Sequence, residues 1–199
     1  ISVLTNHDGI MLGIDAIEIS EDATEKIRHT MLRNAGPITE RASGMGSNNI
    51  SVHAINATLL EVFFRDQEKW LAAHAIHLFC AKGIPQVYYN DLLAQRNDEE
   101  GYHQVGEGRA LIRHNHTNEL ISHKFEQPFV QKVIAMMRIR NKFPAFQGTQ
   151  EVLSSAKYVI KVLWTHEGYE AEVMISTRSC TIQVILREPG QEDRVEKFR

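Results

Sequence analysis

The stretch that most constrains the fold runs from Lys82 to Ala94 and reads KGIPQVYYNDLLA. It follows an apolar segment of helical period and leads into a polar run at residues 95–101. A helix, a glycine, a short apolar strand and then a loop rich in hydrogen-bonding groups are typical of α/β proteins, whose chemistry lies beyond the strands' carboxyl ends. Pro85 suits the start of a strand, where a missing N–H costs little. We therefore predict an α/β fold with this stretch as the last inner strand of a barrel.

The composition excludes several classes of function. Of the 199 residues, 43% are hydrophobic and 24% charged, with a formal net charge of −3, which suits one large globular domain or two small ones. No basic face dominates, so we expect no nucleic acid and no membrane surface as partner. No apolar run reaches the roughly 18 residues of a membrane span, and no signal peptide is recognisable. Cys80 and Cys180 favour reduced thiols, hence a cytoplasmic location.

The segment from Ile1 to Ile10 is predicted to be a strand that ends in His7 and Asp8, followed by Gly9. Residues at the carboxyl end of a strand project into the mouth of a parallel barrel, so both are candidates for chemistry. An Asp-Gly pair after a strand is also a common turn, and the pattern alone leaves both interpretations open. Because the chain opens within strand-like sequence, we expect it to be part of a longer protein.

The next segments supply a helix, a loop and a second helix. Residues 20–36 predict a helix, and the small and polar residues of 38–49 predict a long loop or lid. Residues 50–58 alternate as a short strand or extended loop, and a helix begins at Asp66. His74 and His77 share a helix face, but no third and fourth ligand accompany them, so we predict no metal ion.

Two arginines, Arg109 and Arg113, lie four residues apart in a glycine-containing loop. The guanidinium group offers a rigid fork of donors, which suits a loop that clamps hydroxyl or carboxylate groups. A surface salt-bridge pair is the alternative interpretation.

The last part of the chain changes character. A helix begins at Gln127-Pro128 and ends at Pro144. Runs rich in Val, Ile, Leu, Tyr and Thr then predict an antiparallel meander, with residues 191–199 frayed or forming an edge strand; the runs are 157–165, 171–177 and 181–188. We therefore predict one domain over residues 1–148 and a second, β-rich domain over residues 149–199.

Several motifs together resemble the alpha-amylase superfamily, glycoside hydrolase family 13, and within it the sucrose-phosphorylase-like enzymes. They are Asn6–Ile10, Ile55–Thr58, Gly83–Tyr89, Leu93-Ala94, Asn97-Asp98, Gly108-Arg109 and Arg113-His114. The resemblance implies the C-terminal part of a TIM (β/α)8 barrel, with its last two strands, followed by a small antiparallel β domain. It also implies a retaining, cofactor-free enzyme that converts an α-glucoside such as sucrose and inorganic phosphate to glucose 1-phosphate and an acceptor.

The resemblance assigns a role to individual residues. Asp8 matches the carboxylate that grips hydroxyls of the glucosyl ring and stabilises the oxocarbenium-like transition state. His7 matches its partner on the same ring, and Arg113 matches the arginine that lines the glucose subsite. On the same ground His53 is predicted to bind substrate from the mobile acceptor loop. Asn97-Asp98 completes the predicted substrate-binding set.

The acceptor side departs from the family pattern. His53-Ala54 stands where the phosphorylases have a tyrosine-glutamine pair, and Asn115-His116 follows Arg113-His114 where the family has aromatic residues. These differences bear on sucrose and fructose more than on the glucosyl subsite.

The family's nucleophile and acid/base, which a retaining enzyme needs roughly 5–5.5 Å apart, lie on earlier strands and are absent from this chain. The chain alone is therefore expected to be inactive. The alternatives are an α-glucosidase, sucrose hydrolase or isomerase of the same family, or a truncated, non-catalytic sugar-binding product. Strand edges of a partial barrel also predict self-association.

Overall fold

The computed structural model of the chain describes residues 1–11, 26, 29, 38–42, 50–154 and 156–199. The chain divides into two compact units. The sheet unit comprises residues 1–2, 67–86 and 126–199, and the turn unit comprises residues 3–66 and 87–125. Helices α2 and α6, defined below, lie in the same unit as the C-terminal sheet. The predicted boundary between residues 148 and 149 stays a prediction.

The strands, in chain order, are β1 Ser2–Val3, β2 Ile10–Met11, β3 Ile38–Ala42, β4 Ile50–Ile55, β5 Pro85–Gln86, β6 Thr149–Ser154, β7 Val159–His166, β8 Tyr169–Ser176, β9 Thr181–Arg187 and β10 Arg194–Phe198. The α-helices are α1 Leu59–Val62, α2 Gln67–Cys80, α3 Tyr89–Leu92, α4 Glu99–Val105, α5 Asn118–Phe125 and α6 Pro128–Lys142. The part of the chain that the structure describes also contains the 3₁₀ helices η1 Gly108–Ile112 and η2 Pro144–Gln147. No helix among the described residues is long and apolar enough to cross a membrane.

The sheet unit is built on a five-stranded antiparallel sheet in the order β10-β9-β8-β7-β6. Val162, Val173 and Val184 lie side by side on neighbouring strands, and all three are buried. Because successive side chains along a strand point to opposite faces of the sheet, the residues next to each valine along its own strand point to the other face. There Lys161 and Arg187 both pair with Glu172. This alternation confirms the predicted meander, and β10 confirms the edge strand.

Helices α2 and α6 complete the core of the sheet unit. Trp70 on α2 is fully buried and meets the ring of Phe129 edge to face, with ring centroids 5.6 Å apart. Val130 and Val133 of α6 are also buried. Both helices lie where the sequence predicted them, because a long apolar stripe of helical period has few other ways to be buried.

The turn unit contains a three-stranded antiparallel sheet in the order β2-β4-β3, with a bulge between Thr39 and Glu40. Strand β4 confirms the extended segment predicted from residue 50 onward. The helix predicted over residues 20–36 falls almost wholly outside the described residues. So does most of the predicted lid: residues 38–42 form β3, and residues 43–49 are not described.

The two predicted barrel strands are much shorter than expected. The first pairs as β1, Ser2–Val3, and its last residue, Ile10, pairs separately in β2, because the chain turns back on itself at residues 6–9. Among the described residues the second pairs as β5, Pro85–Gln86, because the backbone enters helix α3 at Tyr89. Strands β1 and β5 form a two-stranded sheet, which includes a hydrogen bond from the Ser2 N–H to the Ile84 carbonyl.

Candidate functional site

The candidate site is built on a tight turn from Asn6 to Gly9. The backbone N–H of each of these two residues donates to the carbonyl of the other, at 3.1 and 3.0 Å. The Asp8 N–H donates to Asn6 Oδ1 at 2.7 Å. This two-residue hairpin turn places His7 and Asp8 side by side at its tip. The turn interpretation of the Asp-Gly pair is therefore confirmed, and the chemical role of His7 and Asp8 stays a prediction.

Gly9 is required at the exit of the turn. Its φ of +110° lies in a region that side-chain-bearing residues rarely adopt. A Cβ placed there would lie 2.2 Å from the Ile55 carbonyl oxygen. The glycine lets the turn pack directly against the end of β4, where Ile10 pairs with Ile55.

Asp8 is held by both arginines of the glycine-containing loop. Arg113 Nη2 donates to Asp8 Oδ1 at 3.1 Å, and Arg109 Nε lies 3.2 Å from the same oxygen. Arg113 Nε also donates to the His7 carbonyl at 3.0 Å. The predicted pair of Asp8 and Arg113 is therefore in direct contact, and the salt-bridge alternative for the arginines applies to a carboxylate at the candidate site.

Both guanidinium groups contact the same oxygen of Asp8, Oδ1. The contact made by Oδ2 is with His7 Nε2 at 3.6 Å, longer than a hydrogen bond. Asp8 is one-third exposed, while Arg109 and Arg113 are exposed to about the same degree. The geometry thus presents, on a partly exposed side chain, a second carboxylate oxygen beside an imidazole. Such an oxygen can accept hydrogen bonds from hydroxyl groups and stabilise a nearby positive charge.

Helix η1 positions the two arginines. Leu111 and Ile112 are almost fully buried and anchor this short helix between the exposed arginines. The Asp98 N–H donates to the Leu111 carbonyl at 2.9 Å. The Ile112 carbonyl accepts from Asn90 Nδ2 at 2.6 Å and from Tyr88 Oη at 2.9 Å. Hydrogen bonds from the loop after β5 therefore fix the backbone that carries Arg113.

Asn97 and Asp98 have partners within the turn unit. Asn97 Oδ1 accepts from the Thr58 N–H at 2.9 Å. Asp98 caps α4 by accepting from the Gly101 N–H at 2.8 Å, and its Oδ2 lies 3.1 Å from His114 Nδ1 without hydrogen-bond geometry. Their predicted substrate contacts stay predictions, as does that of His53, whose backbone lies in β4.

The histidines after Arg113 face each other. The rings of His114 and His116 lie 4.9 Å apart, and His116 Nε2 contacts Asn90 Oδ1. Burial, followed by the nearby His114 and Lys124, lowers the pKa of His116. Within the part of the chain that the structure describes, no three His, Cys, Asp or Glu side chains form a group able to hold a metal ion.

Sequence reasoning missed Asp91, which lies behind the turn. It is almost fully buried in α3 and accepts from Thr5 Oγ1 and, at 2.8 Å, from the Leu59 N–H. Burial raises the pKa of Asp91 to about 6. The signal was an acidic residue inside an apolar run, but its partners are distant in sequence and no local pattern reveals them.

A scan against protein-family models gives no match. Curated proteins do match. The chain is 30% identical over 185 residues to the glucosylglycerol phosphorylase of Marinobacter adhaerens, covering 92% of this chain and 38% of that protein. It is 31% identical over 196 residues to the sucrose 6(F)-phosphate phosphorylase of Thermoanaerobacterium thermosaccharolyticum, covering 96% and 40%. For the sucrose phosphorylase of Agrobacterium vitis the identity is 30% over 183 residues, covering 88% and 37%.

A solved structure matches the fold. The crystal structure of sucrose 6F-phosphate phosphorylase from Thermoanaerobacter thermosaccharolyticum superimposes with a TM-score of 0.87 at 27% identity, covering 98% of this chain and 40% of that one. The chain therefore spans about two fifths of the length of the curated relatives it matches.

The fold and the relatives together define a class. The chain has the architecture of the C-terminal part of a glycoside hydrolase family 13 enzyme, with part of the barrel followed by an antiparallel β domain, as the motifs predicted. Within that family it is homologous to sucrose and glucosylglycerol phosphorylases, which confirms the resemblance drawn from the sequence.

Proposed function

We propose that this chain is the C-terminal portion of a retaining α-glucosyl-transferring enzyme of the phosphorylase type. The single observation that carries the proposal is the Asp8 carboxylate, which is one-third exposed, with Oδ1 on Arg113 and Oδ2 beside His7. A carboxylate and a guanidinium that converge on one exposed place suit a ring with several hydroxyl groups. The phosphorylase relatives support the same reading.

The proposed chemistry divides between this chain and an upstream segment. Asp8 binds hydroxyls of the glucosyl ring and gains strength as positive charge develops at the anomeric carbon, because it offers a full negative charge held in place by two cations. His7 contacts the same ring, and Arg113 lines it. The nucleophile and the proton donor, roughly 5–5.5 Å apart in a retaining enzyme, come from the upstream segment.

The proposed acceptor is inorganic phosphate, and the donor is an α-glucoside such as sucrose. Support comes from the relatives, whose names include sucrose, sucrose 6(F)-phosphate and glucosylglycerol phosphorylases. His53, in the segment that differs from the family pattern, is the proposed contact to the leaving sugar or alcohol. Asn97 and Asp98 are proposed to belong to the substrate-binding residues. Hydrolysis of the same glucosides is the second candidate.

We also propose that the protein works in the cytoplasm. Among the described residues, Cys80 and Cys180 form no disulfide. Burial raises the pKa of the Cys80 thiol to about 11, so it stays protonated and unreactive at neutral pH.

The test is turnover by the longest polypeptide that carries this chain. Sucrose and other α-glucosides are supplied with and without phosphate, and the products are identified. Asp8→Asn is expected to lower kcat by about 10²–10³-fold, by analogy with the loss of one oxyanion-hole donor. The matched control is Asp193→Asn, an exposed acid in the connection between β9 and β10 that pairs with Arg187. Glucose 1-phosphate supports the phosphorylase, free glucose alone supports the hydrolase, and no turnover contradicts both.

A further inference from the structure

Asp91 is an unusual residue to find in the interior of the turn unit. It is 2% exposed, and no Lys, Arg or His side chain pairs with it among the described residues. Burying a carboxylate without a cation is costly, and such residues are often found where function requires them. Desolvation is the main cause of its raised pKa, and the hydrogen bonds from Thr5 and Leu59 oppose it.

The two hydrogen bonds of Asp91 join segments on either side of the Asp8 turn. Oδ2 accepts from Thr5 Oγ1, three residues before Asp8 along the chain. Oδ1 accepts from the Leu59 N–H at 2.8 Å, at the first residue of α1. The segment that leads to Leu59 begins at Ile55, against whose carbonyl Gly9 packs.

These contacts close a ring around the turn. From Asp91 the ring runs through Thr5, along the turn to Gly9, across to Ile55, and along the chain to Leu59, which returns to Asp91. The buried side chain of Asp91 therefore holds both the residue that enters the turn and, through Leu59 and Ile55, the residue that leaves it. Thr5 is itself 4% exposed, so water cannot readily replace Asp91 as the hydrogen-bond partner of its hydroxyl group.

We propose that Asp91 is a positioning residue, which fixes the Asp8 carboxylate by anchoring Thr5 and Leu59 on either side of its turn. The inference rests on the proposed function, in which Asp8 stabilises the transition state. Asp91 itself touches no substrate. Its effect therefore falls on kcat more than on KM, because the interaction of Asp8 is strongest when positive charge has developed.

The decisive variants are Thr5→Val and Thr5→Ser. Valine keeps the shape of the side chain and removes the donor, whereas serine keeps the hydroxyl. Thr5→Val is expected to lower kcat of the complete enzyme by about 10–100-fold, since small misplacements of a catalytic group have effects of that size. Thr5→Ser, which keeps the donor, is expected to keep most of the wild-type kcat. Val162→Ala, at a buried position of the C-terminal sheet, is the control that lowers stability without touching the turn.

A second measurement follows the turn without using activity. Amide hydrogen exchange of Asn6 and Gly9, which bond to each other across the turn, is compared in the 199-residue chain and its variants. We expect at least tenfold faster exchange at both amides in Thr5→Val, and unchanged exchange there in Val162→Ala.

The two measurements separate the inference from the proposed function. A wild-type enzyme without glucosyl transfer contradicts the proposed function, and exchange at Asn6 and Gly9 then decides the anchoring alone. An active enzyme in which Asp8→Asn is defective but Thr5→Val keeps wild-type kcat overturns the positioning role. Unchanged exchange in Thr5→Val overturns it as well, even where the unfolding temperature falls.

Discussion

At the scale of single residues, Gly9 is a position where both the backbone conformation and the surrounding space exclude a side chain. A side chain there meets the Ile55 carbonyl at 2.2 Å and a φ of +110°. We predict that Gly9→Ala lowers the free energy of unfolding by roughly 3 kcal/mol or more, combining strain and steric overlap. Gly190→Ala, also at positive φ but with open space around it, is the control and should cost about 1–2 kcal/mol. Urea unfolding measures both, and equal losses would contradict the steric argument.

The carboxylate of Asp91 gives a pH-dependent prediction. Burial raises its pKa from 3.8 to about 6, so the folded state holds the proton more tightly than the unfolded state does. The contribution of Asp91 to the free energy of unfolding is therefore complete below pH 4 and is lost as the pH rises through about 6. At 1.36 kcal/mol per pKa unit the loss is at most about 3 kcal/mol.

Asp91→Asn removes this titration. The free energy of unfolding of the variant, relative to the wild type, should therefore rise between pH 4 and pH 7. Urea unfolding at several pH values measures the difference. A difference that stays constant over that range would show that Asp91 does not titrate there.

The predictable and the missed residues of the site differ in one physical respect. Asp8 and Arg113 lie in local motifs that resemble those of the family, and this resemblance predicted both in one site; in the structure Arg113 Nη2 lies 3.1 Å from Asp8 Oδ1. Arg109 was noted for its spacing but was not included in the predicted site. Asp91 depends on Thr5, 86 residues away, and neither propensity nor periodicity carries information about such a partner.

At the scale of elements, the end of α2 shows how side chains from elsewhere complete a helix. Its last carbonyls lack intrahelical partners. Arg140 of α6 donates to the Leu78 carbonyl at 3.0 Å, and Trp164 Nε1 donates to the Phe79 carbonyl at 2.7 Å. Gln150 adds a bond to the Cys80 carbonyl at 2.8 Å. Three separate elements thus hold the helix end against the sheet.

We predict that Arg140→Lys lowers the free energy of unfolding by about 2 kcal/mol, although it keeps the charge. Arg140 also bonds the Gly83 and Phe146 carbonyls and stacks over the ring of Trp164, and an ammonium group cannot reproduce this planar fork. Arg138→Lys, on an exposed position of the same helix, is the control and should change little. Equal effects in thermal or urea unfolding would contradict the capping role.

The elements that the sequence predicted well are those whose burial is periodic. Helices α2 and α6 and strands β7 to β9 each bury one face. The apolar residues of the helices therefore follow the helical period, and those of the strands alternate with polar ones. The barrel strands were predicted to be too long, because the length of a strand depends on the strand that it pairs with. In the described chain β1 and β5 each contain two residues. Tyr89 has strand propensity but begins α3, an instance of tertiary context overriding local preference.

At the scale of the whole molecule, the two compact units divide the proposed work. The turn unit carries Asp8, His7 and Arg113, and the sheet unit carries the five-stranded sheet with its two helices. Among the described residues, the partners of the Asp8 carboxylate, which are His7, Arg109 and Arg113, belong to the turn unit. We therefore expect substitutions in the sheet unit to act on stability, and those around Asp8 on turnover.

The edges of the C-terminal sheet give the last prediction, which concerns self-association. Edge strand β10 carries Arg194, Glu196 and Lys197, whose charges discourage pairing with another sheet. The opposite edge strand, β6, exposes Val152 at 62% and carries a bulge that shortens the pairing surface. A short apolar edge favours weak association, so we expect the mass of the 199-residue chain in sedimentation equilibrium to rise with concentration. Val152→Lys should suppress the rise, while Met174→Lys, on an interior strand, should not; a strictly monomeric wild type would contradict the prediction.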